Sequence, residues 1–126
     1  MNNDPKAVVD RMFTAFAKGD VDEILNTVSD DTEWIYHGTR VIPPARYAGQ
    51  EGARKFFEMI LNNTEVIHFT PERYIVEGQM VVVLGSEHQR VKRSGRELKQ
   101  RWVQIYAVED GLITRMEEFA TTEEGQ

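Results

Sequence analysis

The chain contains no cysteine, which removes disulfide frameworks, thiolate metal sites and thiol nucleophiles together and suits a reducing compartment such as the cytoplasm. Its three histidines, His37, His68 and His88, are nowhere at ligand spacing, so no metal is expected. No Ser/His/Asp pattern is recognisable, and nothing in the chain calls for a cofactor. No apolar stretch approaches the ~20 residues needed to span a bilayer. The start, Met1-Asn2-Asn3-Asp4-Pro5, has neither the basic region nor the apolar run of a signal peptide. A membrane partner is therefore not expected, and the expected location is cytoplasmic. Positive charge is scarce as well. Fifteen basic against 21 acidic side chains give a net charge of −6, which repels a phosphate backbone, so nucleic acid is not an expected partner. The run Arg90, Lys92, Arg93, Arg96, Lys99 and Arg101 is a local exception. With Gly95 in its middle it reads as the solvated tip of a hairpin, with an anion or partner site as the sharper alternative.

What is present suffices for one domain. At 126 residues a compact chain buries roughly 65–70% of its unfolded surface and needs no covalent support. A single domain over 1–126 is expected, with its core at about 5–120 and a frayed tail at 121–126. Asp4 can cap a first helix and Pro5 suits its first position; Val8, Val9, Met12, Phe13 and Phe16 recur at helical spacing, and Gly19 stops it. Asp20-Val21-Asp22-Glu23 reads as a capping box opening a short second helix with Val21, Ile24, Leu25 and Val28 on its apolar face. Thr32 to His37 alternates as a strand, with Trp34 and Tyr36 on one face. A loop of about a dozen residues, Gly38 to Gly49, follows, and a third helix runs from about Gln50 to Leu61. Beyond Thr64 the period becomes two, predicting strands at Glu65–Glu77, Met80–Val91, Glu97–Val108 and Leu112–Ala120. Helices first and a meander afterwards imply an α+β fold: three helices on a curved antiparallel sheet, a cone around one apolar pocket.

Met80-Val81-Val82-Val83-Leu84 is apolar at every position, so both faces of that strand need cover. The helices cover only one face of the sheet. A second copy of the chain is the simplest cover for the other, predicting a homodimer through the outer sheet face.

Several phrases, in this order, resemble the nuclear transport factor 2-like superfamily, and within it the SnoaL-like and ketosteroid-isomerase-related proteins. They are Val8-Val9-Asp10-Arg11 through Gly19-Asp20-Val21-Asp22, Asp30-Asp31-Thr32-Glu33-Trp34, and Tyr47-Ala48-Gly49-Gln50-Glu51-Gly52 before Phe56-Phe57. Val82-Val83-Leu84-Gly85 and Glu109-Asp110-Gly111-Leu112-Ile113 with Glu118-Phe119 complete the set. The resemblance implies a cone with a pocket, not a particular reaction, because relatives include isomerases, epoxide hydrolases, polyketide cyclases, dehydratases and binding proteins. Ketosteroid isomerases place an oxyanion-binding tyrosine where this chain has Met12, and their aspartate base falls on Tyr36. Their protonated aspartate falls on Gln104 or, with a shifted hairpin gap, on Val103. Met12 cannot donate a hydrogen bond and Tyr36 is a poor base near neutrality, so steroid-type enolisation by that constellation is not implied. Limonene-epoxide-hydrolase-like members carry a basic aspartate at the position of Glu118, but Gly85-Ser86-Glu87-His88-Gln89 lacks their Arg and Asp.

Glu118 is thus the leading candidate for a catalytic base, in an apolar setting that should raise its pKa. The bland alternative pairs it with a buried donor such as Arg101 or Tyr36. His88 is the second titrating candidate and Tyr36 the third, although the apolar run hides whether Glu87 or His88 faces inward. Trp34, Trp102, Tyr106, Met116 and Gln104, with Met12 and Phe56 from the helices, are candidate binding residues; the aromatics serve equally well as plain core. Tyr47 is a candidate lid residue in the long loop. The expected function is binding of a small apolar or aromatic metabolite, with proton transfer of the isomerase, dehydratase or cyclase type if there is catalysis. A non-catalytic binding or dimerisation module is the alternative, and an epoxide hydrolase with an altered constellation the lesser one.

Overall fold

A computed structural model describes residues 4–38 and 43–123. The first helix, α1, spans Pro5–Lys18 with proline in its first turn, and Gly19 closes it at φ 69°, the left-handed region where glycine carries no steric cost. Asp4 holds the cap position, but its side chain makes no capping bond. In α2, Val21–Leu25, the Asp20 carboxylate does accept from the Glu23 N–H at 3.1 Å. Only half of the predicted capping box forms, because the Asp20 N–H is already given to the Ala15 carbonyl. This helix is shorter than its apolar pattern implies. Val28 leaves it to begin β1, Val28–Tyr36, where it pairs with Ile113.

The segment expected to be wholly loop contains a short strand, β2 (Ala45–Ala48), which pairs antiparallel with β1; residues 39–42 lie outside the described residues. Next come α3 (Gly49–Asn63), β3 (Thr64–Glu77), β4 (Met80–Val91), β5 (Glu97–Glu109) and β6 (Leu112–Glu123). The last strand continues past Ala120, the end expected from the sequence pattern, with Thr121 opposite Arg101 and Glu123 opposite Lys99. Residues 124–126 lie outside the described residues.

One six-stranded sheet results, in the order β2-β1-β6-β5-β4-β3. The α+β cone is as expected, but the sheet is mixed, since β1 and β6 run parallel. The reason is topological. Helix α3 carries the chain from β2 at one edge to β3 at the other, and the antiparallel meander that returns brings β6 alongside β1 in the same direction. The basic run forms the β4–β5 turn, as expected of a hairpin tip, with the Arg96 carbonyl accepting from the Val91 N–H at 2.8 Å.

Helices α1 and α3 press Val8, Val9, Met12, Ala53, Phe56 and Phe57 against the inner face of the sheet. Full burial of such side chains contributes roughly 1.5–3 kcal/mol each. Alternation divides the apolar run of β4: Val81 and Val83 are fully buried inside, while Met80, Val82 and Leu84 face out. Register places Ile75, Val82 and Ile105 in one outer row and Leu84, Val103 and Phe119 in the next. Ile75, Met80 and Phe119 are each close to half exposed there, at 51%, 47% and 45%. No described helix is long and apolar enough to cross a membrane.

Candidate active site in the cone

Strand register assembles the site row by row. One inner row runs Val83, Gln104, Glu118, Tyr36 across β4, β5, β6 and β1; its neighbour runs Val81, Tyr106, Met116, Trp34. Two steps further along, Glu87 lies opposite Gln100 on the same inner face. These rows and the inner faces of α1 and α3 enclose a cavity of about 460 Å³. Its walls are mainly aromatic and aliphatic, with Met12, Phe13 and Phe16 from α1, Phe56 and Phe57 from α3, and Phe69 from β3. Its open end carries Pro43, Asn63, Ser94 and Arg96.

Buried polar groups in such a wall require partners. The Tyr106 hydroxyl donates to Gln104 Oε1 at 2.5 Å, and Gln104 Nε2 donates to Glu118 Oε1 at 3.2 Å. The phenol thereby sets the amide orientation: its oxygen faces Tyr106 and its nitrogen faces the carboxyl. A second chain runs from Gln89 Nε2 to Gln100 Oε1 at 3.3 Å, and from Gln100 Nε2 to the Tyr36 hydroxyl at 3.4 Å.

Burial pushes the Glu118 carboxyl up to about 8. The neighbouring Glu87 adds to the rise by repulsion, and only the Gln104 hydrogen bond opposes it. Burial alone lifts Glu87 to about 7. Tyr106 is pushed far above the ordinary phenol value by burial first and by Glu118 second, so it remains a donor to Gln104. The cavity therefore contains two carboxyls that both titrate near neutrality, the range in which one group can give up a proton and regain it.

Glu118, Tyr36, Trp34, Gln104, Met116, Tyr106, Met12 and Phe56 all line this cavity. Gln104, and not the half-buried Val103, faces inward. The donor to Glu118 is Gln104 rather than Arg101, which is exposed on the outer face. His88 is not in the site. The one-residue pleat of β4 turns it outward, where its Nε2 lies 2.8 Å from Glu97 Oε1, and Glu87 takes the inward position. Trp102 is buried but stands behind the cavity wall. It stacks on Phe69 at 4.8 Å between centroids, and its Nε1 has no hydrogen-bond partner among the described residues. Tyr47 belongs to β2 and packs on Phe56 at 5.6 Å instead of lying in a lid. His37 is an outer-face residue, stacked on Phe119 at 4.3 Å and 2.7 Å from Glu117 Oε2. Among the described residues no cluster of three or more His, Asp or Glu side chains could hold a metal ion.

Gln89 and Gln100 are polar site residues that the sequence reading missed, and Glu87 is one that it left undecided against His88. A signal existed in the hairpin. With Gln104 inward, Gln100 shares its parity on β5, and the register of the turn sets Glu87 opposite Gln100.

Comparison with known proteins fits this architecture. The SnoaL-like domain model matches residues 9–116. A nuclear transport factor 2-like protein from Burkholderia xenovorans LB400 superposes with a TM-score of 0.81 at 23% identity, covering 92% of this chain and 88% of that one. A protein with a ketosteroid isomerase-like fold from Catenulispora acidiphila DSM 44928, in complex with trimethylamine, gives 0.77 at 14% identity, covering 89% and 83%. TerC co-crystallised with polyporic acid gives 0.73 at 22% identity, covering 91% and 89%. No protein of curated function matches the chain.

Proposed function

Given that the chain belongs to the SnoaL-like domain family, we propose that its cone binds a small molecule with an apolar or aromatic body and moves a proton on it without a cofactor, Glu118 acting as base. The observation that carries this reading is the Glu118 carboxyl, 7% exposed, on the wall of a largely aromatic cavity and held by one amide. A structural carboxylate at such depth usually has a cationic partner; this one has Gln104, an orienting group that leaves its charge available. Glu87, on the same wall, supplies the second proton-carrying group that an isomerisation or dehydration needs, one group taking a proton while another gives one back. The crystals of TerC with polyporic acid and of the Catenulispora protein with trimethylamine support the small-molecule part of the reading.

The test does not require the natural substrate. In the base-promoted ring opening of 5-nitrobenzisoxazole, a carboxylate removes the ring C–H proton, the N–O bond breaks, and a coloured cyanophenolate forms. The wild-type protein should accelerate this reaction, with the rate rising as pH increases through about 8 because only ionised Glu118 is a base. Glu118→Gln should lower the rate by about a hundredfold or more while leaving probe binding intact. Equal rates for the two proteins would remove Glu118 from the mechanism.

A further inference from the structure

We propose that the ligand of the cone is an organic monocation, an amine or quaternary ammonium group carried on an apolar or aromatic body. This rests on the reading of the cavity as a small-molecule site. It starts from two carboxyls with no cation beside them on the described strand and helix walls of the cavity. Glu87 on β4 and Glu118 on β6 both line the cavity, and a buried carboxylate without a counter-charge is among the most unfavourable groups a protein can hold. Among the described residues, the charge that acts on Glu118 is that of Glu87, and it repels. Burial is what raises Glu87.

The cavity-lining residues of α1, α3, β1 and β3 bring no cation, and neither do those of β5. The titratable groups facing the carboxyls from β1 and β5 are the phenols Tyr36 and Tyr106. Arg96 stands at the rim, exposed and already engaged in an interaction of its own. A second observation points the same way. Glu118 is 7% exposed and faces the cavity, yet only its Oε1 accepts a hydrogen bond, so Oε2 has no partner among the described residues. The remaining wall is aromatic and aliphatic, with Trp34, Phe56 and Tyr106 among its residues, and the faces of such rings attract a cation where they would repel an anion. Carboxyls and rings together complement a positive charge on an otherwise greasy molecule.

In the empty cone a proton stands in for that cation. Near neutrality the two carboxyls, titrating at about 7 and about 8, hold roughly one proton between them. A bound monocation replaces it, leaving the second carboxyl to exchange protons with the ligand. Binding should therefore release a proton and tighten as pH rises through this range.

The test compares three probes of nearly equal shape by titration calorimetry: phenyltrimethylammonium, its neutral isostere tert-butylbenzene, and benzenesulfonate. Phenyltrimethylammonium should bind at least about tenfold more tightly than the neutral probe at about pH 8.5 and weaken toward pH 6; near pH 7 its observed binding enthalpy should vary linearly with the buffer's ionisation heat, the slope counting the protons released. In the Glu87→Gln/Glu118→Gln variant the cation should lose that advantage while tert-butylbenzene binds as before, which also shows that the variant is folded. Equal or tighter binding of tert-butylbenzene or benzenesulfonate to the wild type would overturn the cation proposal and leave the small-molecule reading standing. Failure of all three probes would overturn both.

Discussion

A carboxyl placed as Glu118 is costs the fold something, and the cost has a definite pH signature. Its native pKa, about 8, lies above the ordinary 4.5, so the folded protein holds a proton that the unfolded chain gives up. Below about pH 4.5 both states are protonated and there is no penalty. Between about 4.5 and 8 the unfolded chain ionises first and stability falls, and above about 8 the loss is complete. Thermal melts from about pH 5 to 9 should show this decline, Glu87 adding to it in the same direction. Glu118→Gln keeps the shape and removes the charge. It should flatten the profile and make the variant more stable than the wild type at about pH 9, by on the order of 3 kcal/mol. A variant less stable than its parent at that pH would mean that the ionised carboxylate is welcome in the cone, against the burial argument.

Strand β4 shows how one element serves two faces. Its inward residues alternate Val81, Val83, Gly85, Glu87 and Gln89, and the smallest of them sits where the Trp102 ring leans across the sheet. A methyl group at Gly85 would overlap that ring and lie 2.5 Å from the Thr70 carbonyl oxygen. Gly85→Ala should therefore lower stability by about 1–3 kcal/mol or more in urea unfolding, through overpacking rather than backbone strain. An unchanged midpoint would mean that Trp102 moves aside freely. The same element marks where the sequence could be read and where it could not. The helices and long strands were legible because capping groups, turn glycines and period-two alternation agreed along the chain. The inward placing of Glu118 was legible because Met116 and Ala120 stand two residues to either side of it, while the choice between Gln104 and Val103 stayed open until the β5–β6 register set Gln104 opposite Glu118. In β4 the run Met80 to Leu84 is apolar on both faces, which erased the parity and left Glu87 and His88 undecided. Strand β2 and the parallel β1–β6 pair depend on contacts between distant segments, and no local pattern announces those.

Taken as a whole, the molecule has one covered face and one bare one. The outer rows of Ile75, Val82, Ile105 and Leu84, Val103, Phe119 lie side by side as an apolar strip on the outer face, the kind of surface that marks an interaction site. Charges of both signs, Arg73, Arg101 and Glu117, border the same face, so a polar rim surrounds the apolar strip that a two-fold related copy would cover. Light scattering coupled to size exclusion should report a dimer, and Val103→Glu should yield a monomer with the cavity side intact. A wild-type monomer at high concentration would leave that surface without the partner expected for it. The two tryptophans have an optical consequence. Trp34 lines the cavity with its indole N–H bonded to Thr32 Oγ1 at 3.0 Å, whereas Trp102 is buried outside the cavity lining with no partner for its N–H among the described residues. A hydrogen-bonded indole emits to the red of one in an apolar enclosure. Intrinsic emission should thus separate into a redder component that dims when the cone fills and a bluer one that stays constant, so every titration carries its own internal standard.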